Sequence, residues 1–201
     1  MKLVIKTIFF DIGGVYVKGN LASIIKKTSK QLNKDAAGIE KILREFSEDL
    51  CNGKMSQEDY FSDISGKLGM DIETIKKLWA CDEMLSIDYE VQKIILELKE
   101  KGYTVGTITD IGPFHLGIHM EKGTYSIFDF AIDSVNAKFT KLNKEIYLQA
   151  LSKTDALPDE CVMIDDLPRK LIAARELGIH TIVFENAGKL RNDLQKLGVK
   201  V

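Results

Sequence analysis

The hydrophobic pattern changes period twice along the chain. Ile5, Ile8, Phe9 and Phe10 form an almost unbroken apolar run that stops on Asp11, Gly13 and Gly14. Such a run predicts a strand buried on both faces, as in a parallel sheet. From Asn20 to about Leu85 the spacing is helical only. Leu21, Ile24, Ile25 and Leu32 mark one helix, and Ile39, Ile42, Leu43, Phe46 and Leu50 a second. A third starts at Ser56, with Asp59 placed as in a capping box, and a fourth runs from Asp71 through Ile75 to Trp79. Four amphipathic helices in succession can bury their stripes against one another as a small bundle.

Beyond Leu85 strands and helices alternate. Helices are expected over 89–101, over 144–152, after Pro168 with the stripe Leu171, Ile172 and Leu177, and over 190–197. Strands are expected over 103–108, 128–132, 161–164 and 179–184. This order means βαβ units and a parallel sheet. The expected fold class is α/β, a doubly wound parallel sheet formed by 1–17 and 86–201, with a small all-helical domain over 18–85.

Composition narrows the classes of function. A formal charge of −2 gives no strong field toward nucleic acid or an anionic membrane. Cys51, Cys81 and Cys161 are odd in number and widely spaced, which argues against a disulfide framework or structural zinc. Lys6 and Asp11 interrupt the first apolar run and no small-residue cleavage site follows, so a cytoplasmic protein is expected. Neither nucleic acid nor a membrane is an expected partner.

Three of the five expected strands end on acids: Asp11, Asp110 and the pair Asp165-Asp166. In open α/β sheets ligands sit beyond the carboxyl ends of the strands. Carboxylates converging there are costly without a cation, and hard oxygen ligands with few His or Cys point to Mg²⁺. Helix capping is the competing explanation for Asp165-Asp166 before Pro168. It does not explain Asp11, and taken alone Lys141 reads as a solvated surface lysine.

A strand-end acid, Thr109, Lys141 and a second acid pair follow the motif order of the haloacid dehalogenase-like superfamily, which this chain resembles over its whole length. FFDIGGVYV resembles the first motif, GTITD the second and KLNKEIYLQAL the third. ECVMIDDLPRKLIAARELGIHTIVF is the closest match, to the fourth. The segment between the first and second motifs is similar to a helical cap. The resemblance implies Mg²⁺-dependent phosphoryl transfer from a small phosphorylated metabolite through an aspartyl-phosphate at Asp11. Thr109 and the amides after Asp11 would bind phosphoryl oxygens, and Lys141 would neutralise nucleophile and phosphate. Asp11, the Gly13 carbonyl and Asp166 would hold Mg²⁺, with Asp165 helping through water or by orienting Lys141. Gly13, Gly14, Asp110, Lys18 and the loop 51–55 are the expected substrate contacts, with hinges near 17–20 and 84–88.

Three residues depart from the family pattern. The second Asp, two after the nucleophile, is Gly13; the Asn after the second-motif Thr is Asp110; the Pro after the third-motif Lys is Leu142. The missing acid/base implies slowed or altered turnover, with Asp110, a cap residue or a good leaving group as replacement. A phosphate-binding protein without turnover, or a metal-independent 2-haloacid dehalogenase, are the alternatives. His115 and His119 are expected to be packing or surface residues, Met70, Met84, Met120 and Met163 core fillers, and Trp79 and Phe61 packing of the helical segment. A monomer or homodimer is expected.

Overall fold

The structure is a computed structural model that describes residues 4–80 and 82–201; Cys81 lies outside the described residues. The first strand, β1 (Thr7–Phe10), leads into the helical segment: α1 (Leu21–Leu32), α2 (Ala36–Arg44), α3 (Ser47–Cys51), α4 (Gln57–Leu68), α5 (Ile72–Trp79) and α6 (Asp82–Leu85). The chain then runs α7 (Tyr89–Glu100), β2 (Thr104–Thr109), α8 (Pro113–Glu121), β3 (Phe130–Asp133), α9 (Ser134–Ala137) and α10 (Lys144–Leu151). It closes with β4 (Cys161–Asp165), α11 (Ile172–Glu176), β5 (His180–Val183) and α12 (Ala187–Lys196).

The five strands are parallel in the order β3-β2-β1-β4-β5. Side chains alternate across a strand. Ile8 and Phe10 therefore face one side, where Val91, Ile95, Leu190 and Leu194 of α7 and α12 cover them. Phe9 faces the other, against Ile146, Tyr147 and Ala150 of α10 and Leu171. Both faces being covered explains why β1 is apolar at consecutive positions. Central β1 pairs with β2 and β4, so the residues following all three strands meet at one edge.

The helical segment has a hydrophobic cluster of its own, with Ile39, Leu43, Phe61, Ile64 and Trp79 at its centre. Asn20, Asp35, Ser56 and Asp71 cap its helices by accepting backbone N–H bonds. Its two connections to the sheet pair with each other: Val17 bridges Ile87, and Lys18 N donates to Ser86 O at 2.9 Å. Its core reaches Phe114 of α8, whose ring lies 5.5 Å from that of Phe61.

Three expectations need correction. The single helix over 39–50 is two, because Tyr60 Oη donates to the Leu43 carbonyl at 2.9 Å and Ser47 Oγ to that of Arg44 at 3.1 Å. These carbonyls end α2 on side chains instead of the next helical turn. Ile172 is 53% exposed, because a 3-10 turn over Pro168–Leu171 shifts the helical phase and buries Ala173 and Ala174 instead. Met120 is 64% exposed on α8 and fills no core. The short helices α8 and α9 carry too weak a periodicity to be read from sequence.

Candidate functional site

The strand-end acids arrive by one route: a buried strand fixes the backbone, and its last residue, Asp165, or the next, Asp11, Asp110 and Asp166, carries the carboxylate at the sheet edge. Asp11 N donates to the Ile164 carbonyl of β4 at 2.9 Å, which extends the sheet by one bond and holds Asp11 rigid. Its Oδ1 accepts from Ile12 N and from Lys141 Nζ, each at 2.7 Å. Lys141 sits in the loop between α9 and α10 and is fully buried. Its ammonium also donates to Asp165 Oδ2 at 2.5 Å, while Asp165 Oδ1 accepts from Leu167 N at 2.8 Å. One lysine thus bridges the ends of β1 and β4.

Asp110 holds that lysine from the other side. Its Oδ1 accepts from Lys141 N at 2.8 Å and its Oδ2 pairs with Lys170 Nζ. The charge that the sequence places beside Thr109 is therefore compensated by Lys170, and both of its oxygens are engaged. Buried Thr109 ends β2 next to it. Asp166 Oδ2 accepts from Asn20 Nδ2 at 3.1 Å, which ties the start of α1 to the end of β4. Gly14 has φ +79, and a Cβ there would lie 2.3 Å from Asp166 Oδ2. Only glycine fits that approach.

Ligand oxygens of Asp11, Asp165 and Asp166 all lie within 4.8 Å of one another. With Asp110 this makes four carboxylates against the ammonium groups of Lys141 and Lys170. Burial and the neighbouring charges both act on these acids. Burial, opposed by Lys141 and reinforced by Asp165, pushes the Asp11 carboxyl up to about 7. Burial and Asp165 also raise Asp166. Burial by itself would lower Lys141, but the surrounding carboxylates outweigh it and hold the ammonium protonated.

A cavity of about 420 Å³ opens over these groups, walled on one side by Asp11, Thr109, Lys141 and Asp166 and on the other by α1, α3, α4 and α5. Gly13 and Asp110 also line it, as does Cys51 at the start of the 51–55 loop. Lys18 is exposed and falls outside the lining. Trp79 and Phe61 belong to the helical core, and Trp79 also faces the cavity, stacked 6.2 Å from His115. Buried His119 bonds Thr124 Oγ1 through Nδ1 at 3.1 Å, and His115 Nε2 lies 3.3 Å from the Trp79 carbonyl, so both are packed in place, and both also line the cavity.

Sequence reasoning did not single out Asn20 or Lys170. Asn20 had a local signal, an N-cap residue just before an apolar stripe. Lys170 had none, since only folding brings it to Asp110, 60 residues away.

The haloacid dehalogenase-like hydrolase family matches residues 5–178, and the chain belongs to that family. Among curated relatives, chloroplast flavin mononucleotide hydrolase 1 of Arabidopsis thaliana is 38% identical over 61 residues, covering 30% of this chain and 25% of the plant protein. The chain thus spans only a quarter of that relative's length. The sesquiterpene phosphatase astK of Aspergillus oryzae is 28% identical over 182 residues, covering 87% of each chain. A family enzyme of Bacteroides thetaiotaomicron, solved with magnesium and inorganic phosphate, superposes with a TM-score of 0.72 at 21% identity, over 92% of this chain and 98% of that one. Among the described residues no helix is long and apolar enough to cross a membrane.

Proposed function

We propose that this chain is a Mg²⁺-dependent phosphatase of small phosphorylated metabolites that works through Asp11, with the helical segment over 18–85 as its cap. The observation that carries the reading is the Lys141 ammonium held between Asp11 at 2.7 Å and Asp165 at 2.5 Å, with Asp166 in the same carboxylate cluster. A capping role for these acids would not bury a lysine among them.

The residues fit a hard divalent cation. Three carboxylates share the site, two of them with raised affinity for protons, and both Asp165 oxygens are engaged by Lys141 and Leu167. That leaves Asp11, Asp166 and the Gly13 carbonyl to hold Mg²⁺, which would cancel charge on the phosphoryl oxygens. The Asp11 carboxylate attacks phosphorus, the bond to the leaving oxygen breaks, and Lys141 and Thr109 steady the phosphoryl oxygens. Water then attacks the aspartyl-phosphate, releasing inorganic phosphate and restoring Asp11. Gly13 offers no proton to the leaving oxygen, and both Asp110 oxygens are committed to Lys141 and Lys170. Activated esters should therefore turn over much faster than alkyl esters.

The test is release of phosphate from 4-nitrophenyl phosphate by purified protein. Release that requires Mg²⁺ and stops with chelator supports the reading. Metal-independent chloride release from a 2-haloacid, with no phosphate release, would replace it with a dehalogenase.

Stability offers an independent check. An acid whose pKa is raised on folding binds more protons in the native state, so its contribution falls as pH rises from about 4 to about 7. Mg²⁺ competes for the ionised carboxylates. The metal should raise Tm by several degrees at pH 7.5 and by little at pH 5, as measured by calorimetry. An equal shift at both pH values would place the ion elsewhere.

A further inference from the structure

The cap-side wall of the cavity says what kind of leaving group the site accepts. Leu21 and Ile24 of α1, Leu50 of α3, Trp79 of α5 and Met84 of α6 present hydrocarbon or aromatic surface to it. Ile24, Leu50, Trp79 and Met84 are all buried, so the wall is packed in place and not a mobile fringe. At the mouth, Leu142 and Leu167 follow Lys141 and Asp166 directly, line the same cavity and stand 42% and 39% exposed.

Several polar side chains that reach the cavity are bonded within the protein, while the buried Trp79 Nε1 has no hydrogen-bond partner and His115 and His119 each use one ring nitrogen. The Tyr60 hydroxyl donates to Leu43 O, and the Ser47 hydroxyl to Arg44 O. Asn20 Oδ1 caps α1 while its Nδ2 serves Asp166. Arg44 Nε pairs with Glu40, and Lys170 with Asp110. Glu48 and Arg169 lie on the exposed rim. A leaving group rich in hydroxyls would exchange water for hydrocarbon with few partners to replace its lost hydrogen bonds. An apolar one would gain from the same transfer.

We infer that the site takes phosphomonoesters of apolar alcohols, with the phosphate against Asp11, Thr109 and Lys141 and a hydrocarbon body against α1, α3 and α5. At about 30 Å³ per water-sized group the cavity holds about fourteen, of which a phosphate takes about five, leaving room for about nine carbons. This rests on the phosphatase reading for the polar end only.

Calorimetric titration of the Mg²⁺-loaded protein with n-alkylphosphonates from methyl to dodecyl tests it without requiring turnover. Kd should fall about 3- to 4-fold per methylene up to about nine carbons and then level off. The ratio kcat/KM of n-alkyl phosphates should climb alongside it. Leu21→Asp, at the first residue of α1 where an acid suits the helix terminus, should flatten both series. Binding that is flat with chain length, with small polar phosphates hydrolysed, overturns the apolar class and leaves the phosphatase. Failure of every phosphonate to bind overturns both.

Discussion

Asp11→Asn is expected to abolish phosphate release, by at least about 10⁴-fold, and at the same time to make the metal-free protein more stable. Asn keeps an oxygen for the bonds from Ile12 N and Lys141 Nζ, so the geometry survives. What disappears is a charge that burial and Asp165 disfavour enough to raise its pKa to about 7. At pH 7.5 the native wild type carries that cost and the variant does not. A gain of roughly 1–3 kcal/mol in urea unfolding is expected, shrinking when Mg²⁺ is added to both proteins.

Lys141→Met is the converse and separates the two effects. It removes the one ammonium shared by Asp11 and Asp165, leaving buried carboxylates uncompensated. Breaking a buried pair from one side costs about 3–5 kcal/mol. The loss should deepen as pH rises, because carboxylates forced to ionise without a partner favour the unfolded state more strongly at higher pH. If Lys141→Met were as stable as wild type while Asp11→Asn gained nothing, the charge balance described for the site would be wrong.

The second large effect is a gain. Gly13→Asp should raise turnover of an alkyl phosphate about 10²-fold, within the range of about 10²–10⁴ expected for general acid/base catalysis, and change turnover of an aryl phosphate much less. The backbone at Gly13 is not in the left-handed region. A Cβ there would meet Gly19 O at 3.4 Å and Asn20 Cβ at 3.7 Å, which are ordinary contacts. The new side chain therefore enters without backbone strain, beside Asn20 on the cavity wall. Steady-state rates on ester pairs of matched size measure the effect. A uniform fall in both rates would show that a fifth carboxylate overloads the site.

These outcomes turn on residues that differ in how openly the sequence carried them. Asp11, Thr109, Asp165 and Asp166 were legible because each ends or directly follows a strand whose apolar run is itself a local signal, and parallel βα topology places all strand ends on one edge. The order of the elements determined the α/β class and the helical insertion for the same reason: periodicity is written in neighbouring residues. Lys141 was legible only through resemblance, since nothing local distinguishes it from a surface lysine.

What the tertiary structure decided were the pairings across long separations. That Asp110 is neutralised by Lys170, that Asn20 steadies Asp166, and that Tyr60 breaks the helix expected over 39–50 all depend on contacts between residues 17 to 146 positions apart. Among the cavity's polar groups the same holds for Tyr60 and Lys170, whose partners Leu43 and Asp110 lie 17 and 60 positions away. A side chain's partner is chosen by packing and desolvation in the assembled core, and those act on neighbours in space, which composition and period along a chain do not specify.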